Sequence, residues 1–232
     1  MKSFSPLALI LFLALAPGCT RHTKPAEVCN DDPNVNGCFL DWYMQKWNES
    51  TVQARIPGGT VFVGTSLTGF FHFHLLRNEG YINRGLPGDF LHDMHLRMNE
   101  VLSLRPARIF LEGGVNDIMS TQLYDAIPWY MESMIIQIRE QLPQTRIYIQ
   151  SILPVICHPS ILMSNALFNR IIREKNEELR NLARRCHVIF VDLYPLFEKS
   201  GEMNPDLTVD GVHLTPYGYL IWEKALIPYL AN

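Results

Sequence analysis

Thr60-Val61-Phe62-Val63-Gly64-Thr65-Ser66-Leu67 runs from a β-branched and aromatic stretch straight into a glycine and two hydroxyl residues. The apolar part reads as a buried strand, and the break at Gly64 puts Ser66 at the strand's carboxyl end. Far downstream stands Asp210-Gly211-Val212-His213. A serine hydroxyl is a poor nucleophile at neutral pH; it needs an imidazole to take its proton and a carboxylate to orient that imidazole. Ser66, His213 and Asp210 supply the three groups. The three-residue offset lets one turn of chain present both Asp210 and His213.

Beyond this first strand, short apolar runs alternate with helical patterns. Residues 81–84, 108–112, 146–152 and 188–193 read as four further strands. Residues 90–104, 126–142, 164–185 and 215–230 carry apolar side chains at three- and four-residue spacing and read as helices. Asp89 is expected to cap the helix that follows it. Such alternation predicts an α/β fold, a five-stranded parallel sheet with helices on both faces. Ligands of such sheets bind outside the carboxyl ends of the strands, where Ser66, the loop after Asn83 and the loop at Asn116 would gather.

The chain has 232 residues, 47% of them hydrophobic, and a formal charge of −3 from 20 basic and 23 acidic side chains. It can bury one ordinary core, and nothing in it forms a basic stripe, a phosphate loop or a zinc-type cysteine pattern. Nucleic acid is therefore not an expected partner. His72-Phe73-His74 and His92-Asp93-Met94-His95 are clustered imidazoles, but without a fixed carboxylate partner they are read as surface or packing residues, and no metal or other cofactor is expected.

Four separated motifs, each at a predicted strand end, occur in order: Gly64-Thr65-Ser66-Leu67, Asn83-Arg84-Gly85-Leu86-Pro87-Gly88-Asp89, Gly114-Val115-Asn116-Asp117 and Asp210-Gly211-Val212-His213. In this the chain resembles the SGNH hydrolases, also called the GDSL esterase/lipase family, over about residues 57 to 232. The resemblance implies a flavodoxin-like three-layer α/β/α sandwich and a serine acyl transfer. It implies catalytic Ser66, Asp210 and His213. The oxyanion hole would be the backbone N–H groups of Ser66 and Gly88 and the side-chain amide of Asn116. Gly85 is the rival glycine; Gly88 is preferred because the family's donor immediately precedes the aspartate, here Asp89. The α/β-hydrolase elbow is rejected, because Gly-Thr-Ser-Leu-Thr lacks its second glycine. One departure stands out: the family usually has aspartate just before the serine, and this chain has Thr65, which puts the positioning of the nucleophile in question.

The spacing from Asn83 to Asp89 and the Arg105-Pro106 lead-in to the third strand resemble the platelet-activating-factor acetylhydrolase-like branch, whose members remove short acyl groups. That implies a short-acyl, acetyl-type esterase. The alternatives are a lysophospholipase or thioesterase taking longer chains, and a non-catalytic carbohydrate- or lipid-binding module. Ile118, Met119, Leu123, Tyr124 and Trp129 are candidate pocket residues, although core packing is at least as good a reading of the helical series Trp129, Met131, Met134, Ile135 and Ile138.

Residues 1–18 carry Lys2, an apolar stretch from Leu7 to Ala16 and Pro17-Gly18, the layout of a secretory signal too short to span a bilayer stably. Cleavage before Cys19 resembles processing of a bacterial lipoprotein, with Ala16 in place of the usual leucine, and Cys19 is the expected lipid attachment. The protein is then expected in the bacterial cell envelope, held to a membrane by its N-terminal anchor; plain periplasmic or secreted export is the alternative. Residues 19–38 read as a turn-rich tether and 39–232 as the hydrolase domain, beginning with a short helix at Trp42, Tyr43 and Trp47. Cys29 and Cys38, both in the tether, are the expected disulfide. Cys157 and Cys186 flank successive strands at opposite ends of the sheet, beyond the roughly 7 Å reach of a disulfide, and are expected as buried thiols.

Overall fold

A computed structural model describes residues 58–71, 81–120, 124–156 and 163–230, all within the unit Val52–Asn232. The expected signal and tether with Cys19, Cys29 and Cys38, the expected short helix at Trp42, Tyr43 and Trp47, and the residues His72, His74, Leu123 and Cys157 lie outside the described residues.

Five strands form one sheet in the order β2-β1-β3-β4-β5: β1 (Thr60–Gly64), β2 (Tyr81–Gly85), β3 (Arg108–Leu111), β4 (Arg146–Gln150) and β5 (Ile189–Val191). Every neighbouring pair is parallel. The pleat sends successive side chains to opposite faces and so defines two cores. On one face Val61, Val63, Ile109, Leu111, Ile147 and Ile149 meet α2 (Leu91–Leu96), α3 (Met98–Ser103), α4 (Val115–Met119), α5 (Ile127–Gln141) and α6 (Asn165–Arg185). On the other, Phe62, Phe110, Tyr148 and Val191 meet α1 (Ser66–Gly69), α7 (Tyr194–Phe197) and α8 (Pro216–Leu230). The result is the α/β/α sandwich read from the alternation of elements.

The second face is aromatic. Phe62, Phe110 and Tyr148 are register partners on β1, β3 and β4, and their rings stack at 4.7 and 4.3 Å. Trp222 of α8 lies on Phe71 at 5.0 Å and donates its indole N–H to Gln150 Oε1 at 2.7 Å, so the buried ring keeps its polar partner.

The structure departs from the sequence reading at four places. Residues 90–104 form two helices, with Arg97 between them at φ −94°, ψ 5°. Asp89 does not cap the first of these. The cap position is Phe90, whose N–H is taken by Asp93 Oδ2 at 3.1 Å, while the carboxylate of Asp89 is taken by Arg97 Nε at 2.8 Å. Strand β4 stops at Gln150 rather than Ile152. From there the N–H and C=O of Ile152 bond the side chain of Asn176 at 2.7 and 2.8 Å, and those of Val155 bond Asn169 at 2.9 and 2.8 Å. Two amides seven residues apart on α6 thus replace a neighbouring strand. Cys186 is a free thiol but only half-buried. Among the described residues no helix is long and apolar enough to cross a membrane.

Phe110 is fully buried at the centre of the aromatic layer. Phe110→Ala should cost about 3–5 kcal/mol, whereas Ile136→Ala, at an exposed position of α5, should stay within about 0.5 kcal/mol of the parent. Urea unfolding followed by far-UV circular dichroism measures both; equal costs would contradict this placement of the core.

Candidate active site

Strand β1 ends at Gly64, Thr65 caps α1, and Ser66 is the first helical residue. Its Oγ lies 2.9 Å from His213 Nε2, although 147 positions separate the two. His213 Nδ1 lies 2.6 Å from Asp210 Oδ2. The second carboxylate oxygen, Oδ1, accepts the backbone N–H groups of Val212 at 2.9 Å and His213 at 2.7 Å. With Nδ1–H donating to the carboxylate, Nε2 is left as the acceptor for the serine hydroxyl. The structure therefore brings Ser66, His213 and Asp210 into one chain of hydrogen bonds.

The loop holding Asp210 and His213 is braced from both sides. Thr208 pairs with Leu214, and its hydroxyl donates to His213 O at 2.8 Å and accepts from Gly211 N–H at 2.8 Å. Gly211 is at φ +95°, and a Cβ there would stand 2.1 Å from Ile156 O. Only glycine fits this approach, in which Ile156 N–H donates to Gly211 O at 2.8 Å. Ile156 directly follows the residues that Asn169 and Asn176 hold, Ile152 and Val155.

The loop after β2 faces the serine from the other side. Gly85 and Gly88 have different tasks here. A Cβ on Gly85 would lie 2.1 Å from Gly69 N, so this glycine lets β2 pack against α1. Gly88, at φ +87°, has nothing within 4 Å of an added Cβ and borders open space. Asn116 Nδ2 donates to Asp89 O at 2.8 Å, tying the third motif to the second. A primary amide has two hydrogens, and one remains. Asp117 accepts Leu91 N–H at 3.2 and 3.3 Å, and Arg97 reaches Gly64 O at 3.2 Å as well as Asp89.

Burial would raise the Asp210 carboxyl, but the hydrogen bonds and charge of His213 outweigh it and hold Asp210 at about 2. Asp89 and Asp117 go the other way. Burial lifts each from its ordinary 3.8 to about 6, against the opposing pull of Arg97 on Asp89 and of Leu91 N–H on Asp117. Glu112, at the end of β3, is raised by complete burial, with Thr65 and Thr68 hydrogen bonds opposing the rise.

The sequence reading missed Glu112, Arg97, Asn169 and Asn176. Glu112 had one visible signal, a charge closing the apolar run Ile109-Phe110-Leu111. Asn169 and Asn176 stand on the buried face of an amphipathic helix, where polar residues are unusual without partners. Among the candidate pocket residues, Ile118 is in the core rather than at the surface, Met119 and Tyr124 are half-buried, and Trp129 is 59% exposed beside Tyr130 and His95. Met131, Met134, Ile135 and Ile138 are core. Among the described residues, no group of three or more His, Cys, Asp or Glu side chains could hold a metal.

A carboxyl raised on folding stabilises the folded state below its unfolded value, and that stability is lost as pH rises through the folded value. Asp117 should therefore make the protein less stable between about pH 4 and pH 6 as pH rises. Asp117→Asn keeps an acceptor for Leu91 N–H and does not titrate, so urea midpoints of parent and variant measured at pH 4, 5, 6 and 7 should show the parent falling relative to the variant. Parallel curves would contradict it.

No curated protein matches the chain in sequence. Solved structures do. A GDSL-like lipase from Bacteroides thetaiotaomicron is 25% identical, with a TM-score of 0.70 over 81% of this chain and 96% of that one. A Streptococcus pneumonia structure whose name refers to platelet activating factor is 23% identical, with a TM-score of 0.66 over 82% of this chain and 95% of that one. A variant of an acetylxylan esterase from Geobacillus stearothermophilus is 17% identical, with a TM-score of 0.61 over 77% and 97%. The last two likenesses carry the fold alone. The model of the GDSL-like lipase/acylhydrolase family matches residues 56–221, spanning every motif around Ser66, Gly88, Asn116 and His213, and the chain belongs to that family of hydrolases acting on esters.

Proposed function

We propose that this acylhydrolase is an exported serine esterase for short acyl esters, acetyl esters above all, working through Ser66, His213 and Asp210. The observation that carries the reading is the unbroken line Ser66 Oγ, His213 Nε2, His213 Nδ1, Asp210 Oδ2, with contacts of 2.9 and 2.6 Å. His213 takes the Ser66 proton as Oγ attacks the ester carbonyl carbon. The oxyanion so formed is met by the N–H groups of Ser66 and Gly88 and by the remaining amide hydrogen of Asn116. The intermediate collapses, His213 gives its proton to the departing alkoxide, and an acyl-serine is left. Water, deprotonated by His213, attacks that ester, and release of the acid returns the proton to Ser66. Asp210, held near 2, stays ionised throughout and compensates the imidazolium.

Preference for a small acyl group is supported by the resemblance of the Asn83–Asp89 spacing and of Arg105-Pro106 to the short-acyl branch of the family, and by the likeness of the fold to an acetylxylan esterase. Export rests on the signal-like residues 1–18, and anchoring on lipidation of Cys19, with Cys29 and Cys38 paired in the tether. The enzyme would then work in the bacterial cell envelope without a cofactor, on a small-molecule or glycan ester.

Hydrolysis of p-nitrophenyl esters from acetate to palmitate tests the reading. Activity should be confined to short chains, and Ser66→Ala and His213→Ala should each lose most of the nucleophilic contribution, up to about 10⁶-fold. Asn116→Ala should lose roughly 10²–10³-fold in kcat. Preference for long chains would favour the lysophospholipase or thioesterase reading. No hydrolysis and no Ser66-dependent fluorophosphonate labelling by folded protein would favour a binding module.

A further inference from the structure

Glu112 lies 3% exposed just past the carboxyl end of β3, and the reaction just described does not use it. Its N–H continues the pairing of β3 with β1 by donating to Val63 O at 2.9 Å, which fixes where its side chain starts. The carboxylate then crosses above Gly64. A Cβ at that glycine would stand 2.5 Å from Glu112 Oε2 and 2.2 Å from Thr68 Oγ1, so the absence of a side chain there is what opens the crossing.

The carboxylate ends among donors that flank the serine on both sides. Oε2 accepts Thr65 N–H at 3.0 Å and the Thr68 hydroxyl at 2.8 Å, and the Thr65 hydroxyl lies 3.1 Å from Oε2 and 3.3 Å from Oε1. Thr65 and Thr68 are themselves buried. Thr65 is extended, at φ −90° and ψ −155°, and Ser66 is helical, so the chain turns sharply at the residue these bonds hold. Hydrogen bonds to a carboxylate in a site without solvent are among the stronger ones, and deleting one partner leaves the others buried and short of a partner. From across the turn, the hydroxyl of half-buried Tyr219 donates to Leu67 O at 3.0 Å and holds the next residue as well.

We infer that Glu112 and Thr65 form a positioning pair for the nucleophile: the acid from β3 grips the turn at Thr65 and Thr68 and thereby sets the direction of Ser66 Oγ and of the Ser66 N–H. In this chain a hydroxyl at position 65 is the right partner, because the carboxylate arrives from the neighbouring strand. The inference rests on Ser66 being the nucleophile. Glu112 is buried and bonds Thr65 and Thr68 rather than the Ser66 hydroxyl, so its loss acts on the chemical step and leaves substrate binding in place. An error of about 1 Å in such a geometry is worth about 10²-fold in rate.

The test uses the full chain, with p-nitrophenyl acetate for kcat and KM and a fluorophosphonate probe for the labelling rate of Ser66. Glu112→Gln keeps the volume and one acceptor; Thr65→Val keeps the shape and loses the hydroxyl; Thr65→Ser keeps the hydroxyl. Glu112→Gln and Thr65→Val should lower kcat and the labelling rate together, by about 10- to 100-fold at unchanged KM, and Thr65→Ser should stay near the parent. If Glu112→Gln does not fold, the contrast between Thr65→Val and Thr65→Ser decides alone. Variants that label at the parent rate, or equal losses in Thr65→Val and Thr65→Ser, overturn the pair while leaving Ser66 as nucleophile. A parent protein that does not label overturns both together.

Discussion

Strand β1 is hydrogen-bonded on both sides, to β2 and to β3, and the site depends on that double pairing. With Gly64 opposite Gly85 and Val63 opposite Leu111, three strand ends finish at one level. From that level leave the turn carrying Ser66, the loop carrying Gly88 and Asp89, and the segment from Glu112 to Asn116. Parallel strands point every carboxyl end the same way, so segments 20 to 50 residues apart in sequence meet without any of them being long. The glycines at the strand ends then set how closely these segments approach: Gly64 admits the Glu112 carboxylate and Gly85 admits α1.

His213 and Asp210 reach the same place by a different route. Their loop follows β5 and is tied to the sheet through Ile156, whose segment has left the β4 ladder and is paired instead with the amides of Asn169 and Asn176. The imidazole is thus located by helix α6 as much as by its own loop. A buried backbone segment needs partners for its N–H and C=O groups, and two asparagines provide them where no strand is available.

Around the serine two carboxyl groups, at Asp117 and Glu112, are buried and a third, at Asp89, is mostly so, and each is gripped by donors from another segment. Each bond joins one motif to the next. Asp117 fastens the Asn116 helix to the start of α2, Asp89 joins the Gly88 loop to Arg97, and Glu112 joins β3 to the turn of Ser66. Burial that raises these acids is accepted because the same desolvation strengthens the bonds that align the site. The exposed Asp210 is different: its carboxylate is paired with the imidazole and remains low.

The sequence by itself determined the α/β alternation, the parallel sheet, the family and the residues Ser66, Asp210, His213, Gly88 and Asn116 as candidates, because strand patterns and motif order are local or ordered features. It also showed that Thr65 departs from the family's aspartate. The break at Arg97 and the end of β4 at Gln150 were misjudged, the latter because side chains from α6 take over the backbone that follows. Only the tertiary structure decided what Thr65 bonds, why Gly64, Gly85 and Gly211 must lack side chains, and that Asn169 and Asn176 support the loop of His213. Those are contacts between residues tens of positions apart, set by strand register and helix packing. Such contacts leave no periodicity in the chain, and become visible only when the sheet has placed its ends side by side.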